Sequence, residues 1–178
     1  STAMIERNRV EAAPSLERIV IGVDPAVTSG KDSDETGIVT AGRGADGHYY
    51  VLADASCRER PAGWAARVRD EYRRFRADRV VAEVNNGGDL VETVLRSQEL
   101  DLPFRQVRAM RGKIARAEPV AALYEQGKVH HVGCFRELEE QMTSFTPQTG
   151  TGSPDRLDAL VWAMTVLMEP ASPRFIPA

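Results

Sequence analysis

The sequence predicts an α/β layer fold with a mixed central β-sheet flanked by helices on both faces, and three observations carry that prediction. Residues 18 to 24, "RIVIGVD", form a continuous apolar, β-branched run of the kind found in a central strand covered on both sides. Two further β-type runs follow before any helical pattern, separated by the turn chemistry of "GADG". After them, helical and strand-like segments alternate to the end of the chain. Three strands in succession predict an antiparallel meander, and the alternation that follows predicts parallel strands joined through helices.

Each element has its own signal. Residues 36 to 43 and 48 to 56 complete the meander begun by 18 to 24. Beyond Pro61, Trp64, Val68, Tyr72 and Phe75 recur at spacings of three and four, which predicts an amphipathic helix with an arginine-bearing outer face. "RVVAEV", 79 to 84, reads as a second buried strand, "GGDLVETVLRSQEL" as a helix and "LPFRQVRA" as a short strand. "KIARAEPVAALYEQGKV" predicts a helix closed by Gly127, with a short strand at 128 to 132. "FRELEEQMTSF" is helical, "TPQTGTGSP" is a loop, and "SPDRLDALVWAMTVLM" is a last, largely apolar helix.

With 178 residues, 42% of them hydrophobic, the chain can bury one substantial core and is short for two. One domain is expected over 18–169. Residues 1–17 are set apart as a tag scar, "STAM", with an N-terminal extension, and 170–178 as a Pro-rich tail. No stretch approaches the ~20 apolar residues of a membrane span and no signal peptide is evident, so a soluble, intracellular protein without a membrane partner is expected. Cys57 and Cys134 lack metal-site spacing and are expected to be reduced thiols. The net charge of −3 argues against a nucleic-acid partner, but its distribution does not: Arg105, Arg108, Arg111, Lys113 and Arg116 stand together without an acid between them.

Three acids sit in unusual places. Asp24 ends the first strand, Glu83 ends the fourth, and Asp158 lies among the apolar residues of the last helix. Ligands of open α/β sheets bind at the carboxyl ends of strands, so Asp24 and Glu83 are expected to converge, with Asp158 joining them if the last helix crosses that edge. Carboxylates gathered in one place resist simultaneous ionisation unless a cation compensates. All-oxygen ligands suit Mg²⁺ or Mn²⁺, and two such ions can clamp a phosphodiester undergoing in-line displacement. Asp155, three residues before Asp158, shares its helical face and is a further candidate ligand, although a helix-start role explains it equally well. Asp24 before Pro25 also fits a turn. Glu83 is harder to explain structurally, because glutamate is depleted in buried strands.

The series "GVDPA", "SDETGI", "VVAEVNNGG", "GKIARAEPVAALYEQGKVHH", "LEEQMTSF" and "GSPDRLDALVWA" resembles the C-terminal nuclease domain of the large terminase subunit of tailed bacteriophages, over about residues 18 to 168. That resemblance implies a ribonuclease H-like fold and a metal-dependent endonuclease that cuts concatemeric viral DNA during genome packaging, with two divalent cations, Mg²⁺ or Mn²⁺, as cofactors. Position by position, Asp24, Glu83 and Asp158 match the family's acidic triad, and Asp155 falls where some relatives carry a further metal-proximal residue. Lys113 and Arg116 match basic positions of the family, and with Arg111 they are expected to contact the backbone of double-stranded DNA. The resemblance also implies, in a full-length protein, an N-terminal packaging ATPase, a small terminase subunit and a portal as partners, in the cytoplasm of an infected bacterial host. The chain has no GxxxxGK[ST] phosphate loop of its own.

Asn85 and Asn86 are placed to orient a water or phosphate, and Asp32, Asp34 or Glu35 of the 26–35 loop to add a ligand, though solvated loop positions account for them too. His130 and His131 have no spacing partner and stay outside the expected site. Competing readings are a Holliday-junction resolvase of the same superfamily, a non-catalytic module that docks on DNA or the portal, and a sugar-kinase-like ATPase half. The last lacks a phosphate-binding glycine pair after Asp24.

Overall fold

The computed structural model describes residues 1–26, 35–84, 88–98, 101–108, 113–145 and 154–170. In chain order its elements are α1 (Thr2–Arg7), β1 (Leu16–Asp24), β2 (Gly37–Gly44), β3 (Tyr49–Asp54), α2 (Pro61–Phe75), β4 (Arg79–Glu83), α3 (Gly88–Gln98), β5 (Phe104–Val107), α4 (Lys113–Glu125), β6 (Val129–His131), α5 (Arg136–Ser144) and α6 (Asp155–Met168). The six strands form one mixed sheet in the order β5-β4-β1-β2-β3-β6. β1, β2 and β3 are the expected antiparallel meander, while β4 and β5 extend it with parallel pairing from the other side of β1.

β6, the last strand, does not extend the sheet beyond β5. It pairs parallel to β3 at the far edge of the meander. A parallel strand needs a crossover, and α4 with its Gly127 terminus, at φ 69°, carries the chain back from the β5 edge.

The period-2 alternation of the strands divides the core into two layers. Val20, Val39 and Val81 face α4, α5 and α6, where Leu138, Leu160, Met164 and Leu167 are fully buried. Ile21, Val23, Ile38, Val80 and Ala82 face α2 and α3, against Trp64, Val68 and Leu95.

The N-terminal residues pack on this domain. β1 starts at Leu16, Ile5 of α1 is 5% exposed within the core, and Val10 bridges Val132. Arg9 grips Glu139 of α5 through two hydrogen bonds of 2.6 and 2.9 Å. Glu139 in turn accepts from the Phe135 N–H and pairs with Nδ1 of the buried His131 at 3.0 Å. Burial favours neutral His131, which then donates from Nδ1 to Glu139 and accepts the Tyr124 hydroxyl at Nε2, 2.7 Å away. A single apolar anchor in "STAMIERNR" has no periodicity, so this attachment left no pattern to read.

Candidate metal centre

The carboxylates are placed by strand register and by one helix. β1 and β4 run parallel with Val23 opposite Ala82, so Asp24 and Glu83, the next residues of each, leave the sheet at the same edge. α6 crosses the neighbouring face at close range, because Gly22 of β1 and Gly37 of β2 present no side chain to it. A methyl group on Gly22 would overlap the Ala159 carbonyl, and one on Gly37 the Asp155 carbonyl. That approach brings Asp158, in the first turn of α6 and 5% exposed, to the ends of β1 and β4.

Asp24, Glu83 and Asp158 each contribute one carboxylate oxygen to a group in which these atoms all lie within 4.8 Å of one another. Among the described residues this is the one such grouping of three potential ligands. Asp24 and Glu83 are half-buried and Asp158 is buried. Three carboxylates this close, with limited access to water, favour a compensating cation, and an all-oxygen donor set fits a hard divalent ion. The residues therefore suit the Mg²⁺ or Mn²⁺ expected from the sequence.

Asp155 is one turn earlier on α6 and does not enter this group. Lys113 opens α4, its side chain outside the described residues, and Arg111 lies outside them altogether. Asn85, Asn86, Asp32 and Asp34 also lie outside, as do residues 146–153 and 171–178. Arg116 is described: its guanidinium stands 4.7 Å over the ring of Trp162. Arg105 of the same basic strip is engaged by Glu169 at 2.7 Å.

Glu35, considered above as a further ligand, is taken up by Arg156 at 3.0 Å. Arg156 also donates to Asp54 of β3 at 2.6 Å and to Glu137 of α5, so one largely buried guanidinium ties the start of α6 to three other parts of the fold. Gln141 of α5 completes the anchorage. Its side-chain oxygen accepts from the backbone N–H groups of Arg156 and Leu157 at 3.0 and 3.2 Å, a cap from another helix where Pro154 offers none of its own. The sequence reading passed over Arg156 and Gln141. A cation inside the apolar "DRLDALVWA" was the available signal for Arg156; Gln141 left none.

Trp162 was also missed. It stands one turn beyond Asp158 on α6, and its indole N–H donates to Oε2 of Glu83 at 3.0 Å. Its aromatic character reads as core at the sequence level, and only the fold directs its polar edge to the carboxylates.

The chain matches the family described as terminase RNaseH-like domain over residues 21–167. Among solved structures, it is similar to the nuclease domain of the large terminase subunit of bacterial virus Sf6, with TM-score 0.70 and 13% identity over 96% of this chain and 98% of that one. It is similar to the large terminase nuclease of thermophilic phage G20c, with TM-score 0.64 and 17% identity over 87% of this chain and 84% of that one. That nuclease has also been solved with bound magnesium. The human cytomegalovirus terminase nuclease domain, Mn-soaked and inhibitor-bound, gives TM-score 0.60 and 12% identity over 93% and 94% of the two chains. No curated protein sequence matches the chain. At these identities the structural likeness is one of fold, a ribonuclease H-like sheet with its helices, and it agrees with the family match. A match covering most of the chain, on a fold whose strand ends gather three carboxylates, shows that this protein belongs to the terminase RNase H-like domain family.

Proposed function

We propose that the chain is the metal-dependent endonuclease domain of a terminase large subunit, hydrolysing phosphodiester bonds of concatemeric viral DNA during genome packaging. The observation that carries this reading is the convergence of Asp24, Glu83 and Asp158 within 4.8 Å in a chain of this family. Asp24 would be the ligand shared by both cations, with Asp158 completing one site and Glu83 the other. Two divalent ions, Mg²⁺ or Mn²⁺, when bound supply a lowered pKa for an attacking water and neutralise charge on the departing 3′ oxygen. The buried strands β1 and β4 fix the backbone at the two strand-end residues, and α6 brings the third carboxylate. Asp155, in the first turn of α6 and outside the 4.8 Å group, would add negative charge beside the site.

Lys113, Arg111 and Arg116, in the strip that opens α4, would lie along the DNA backbone and position it without reading sequence. In a full-length protein the packaging ATPase, small subunit and portal would present the DNA, in the cytoplasm of an infected bacterial host. Supercoiled plasmid incubated with the chain and Mg²⁺ or Mn²⁺ tests this. Nicking and linearisation are expected, with loss in Asp24→Ala and Asp158→Asn and on chelation by EDTA. Cutting that persists in both variants would refute the assignment.

A further inference from the structure

We propose that Trp162 is a positioning residue for the metal centre: its indole N–H fixes the carboxylate of Glu83 so that a single orientation of that side chain faces Asp24 and Asp158. The inference rests on the metal-centre reading above. Its geometry does not, being a 3.0 Å hydrogen bond from Nε1 of Trp162 to Oε2 of Glu83.

Glu83 needs such help more than its partners do. Glutamate has one more rotatable bond than aspartate, and Glu83 at the end of β4 is only half-buried. Ordering it therefore costs conformational entropy that the strand alone does not remove. The donor chosen is also suited to the task. An indole N–H donates and never accepts, so it occupies one lone pair of the carboxylate without a competing role. Being neutral, it leaves the full negative charge for a cation, whereas a lysine or arginine there would compete with the metal.

The indole is itself immobilised. Trp162 is 5% exposed, and the Arg116 guanidinium lies 4.7 Å over its ring. A cation over the ring face draws electron density from the indole and strengthens its N–H as a donor. Asp158 and Trp162 share one face of α6 at a spacing of four, so one helix delivers both a carboxylate and the group that orients another. Hydrogen-bond partners that orient metal ligands typically contribute about 10- to 100-fold in metal affinity.

The test uses the full chain. Its two tryptophans, Trp64 and Trp162, give two indole N–H resonances, and Trp64 belongs to α2, in the core layer on the other face of the sheet from α6. Titration of wild type with Mg²⁺ is expected to shift the Trp162 signal and leave that of Trp64; an unmoved Trp162 signal at saturating Mg²⁺ overturns the proposal. Calorimetric Mn²⁺ binding is expected to weaken about tenfold or more in Trp162→Phe, with the metal-free melting temperature recorded to separate loss of packing from loss of orientation. In a Glu83→Gln background the same replacement should change Mn²⁺ affinity little, because its effect runs through that carboxylate. Equal affinity in Trp162→Phe and wild type, or full additivity with Glu83→Gln, overturns the role of Trp162 and leaves the metal centre standing. Absence of any Mn²⁺ binding that Asp158→Asn abolishes overturns the metal centre and this inference together.

Discussion

The backbone carbonyl of Asp155 fills the space that a side chain on Gly37 would occupy. Gly37 is also the register partner of Asp24, so one small residue sets both the pairing of β1 with β2 and the depth to which α6 sits on the sheet. Gly37→Val must push α6 outward. The expected cost is about 1–3 kcal/mol of stability, the usual penalty for overpacking, measured by urea denaturation. Weaker Mn²⁺ binding should accompany it, because Asp158 moves with the helix. Unchanged stability and affinity would contradict the close approach.

Arg156 is the second control on α6. Its removal in Arg156→Met leaves Asp54 and Glu35, with side chains 6% and 13% exposed, without their shared cation. Breaking a buried pair from one side costs about 3–5 kcal/mol, and chemical denaturation should show a loss of that order. A loss under about 1 kcal/mol, typical of a solvent-exposed pair, would mean that the cluster is hydrated and contributes little.

Acid should loosen the N-terminal attachment. Burial alone would raise the Glu139 carboxyl, but hydrogen bonds from Arg9, His131 and the Phe135 N–H outweigh it and hold its pKa at about 2, below the ordinary 4.5. A depressed carboxyl contributes stability that is complete above 4.5 and is lost as pH falls from there towards 2. His131 adds to this in the same direction. Burial, against the opposing pull of Glu139, holds its pKa below the ordinary 6.5, so its protonation favours the unfolded chain and stability declines as pH falls below that value. In Glu139→Gln, stability plotted against pH should flatten between 4.5 and 2, by up to about 3 kcal/mol at the extremes. Amides of residues 2–10 should also exchange faster at neutral pH. Parallel curves for the two proteins would remove Glu139 as the acid-sensitive contact.

The two aspartates of "DRLDAL" should separate in function. Asp158 belongs to the converging carboxylates and Asp155 does not. Asp158→Asn is expected to lower Mn²⁺ affinity about 100-fold or more and Asp155→Asn less than about tenfold, given the ordinary worth of a direct ligand against a neighbouring charge. Isothermal calorimetry on the two variants decides it, and equal losses would make Asp155 a ligand.

Much of this protein is written in local pattern. Continuous apolar runs mark β1 and β4, alternation and turn residues mark the meander, spacings of three and four mark α2, and a long, largely apolar segment marks α6. The acids at the ends of β1 and β4 stand out against those patterns, and their series with "DRLDAL" suffices to identify the family. Local pattern has a range of about two turns or a few strand residues, and what lies beyond that range only the tertiary structure decided. The Trp162–Glu83 bond spans 79 positions, the Arg156–Asp54 pair 102 and the Arg9–Glu139 pair 130. None of these is favoured by the residues adjacent to it in sequence. Each is a polar group made expensive by burial and satisfied by whatever the packed layers bring opposite it. The same holds for β6, whose three residues are too short to specify an edge and which joins β3 because α4 returns the chain there. Sequence determined which carboxylates are present at strand and helix ends; the close packing of α6 on two glycines determined that they meet.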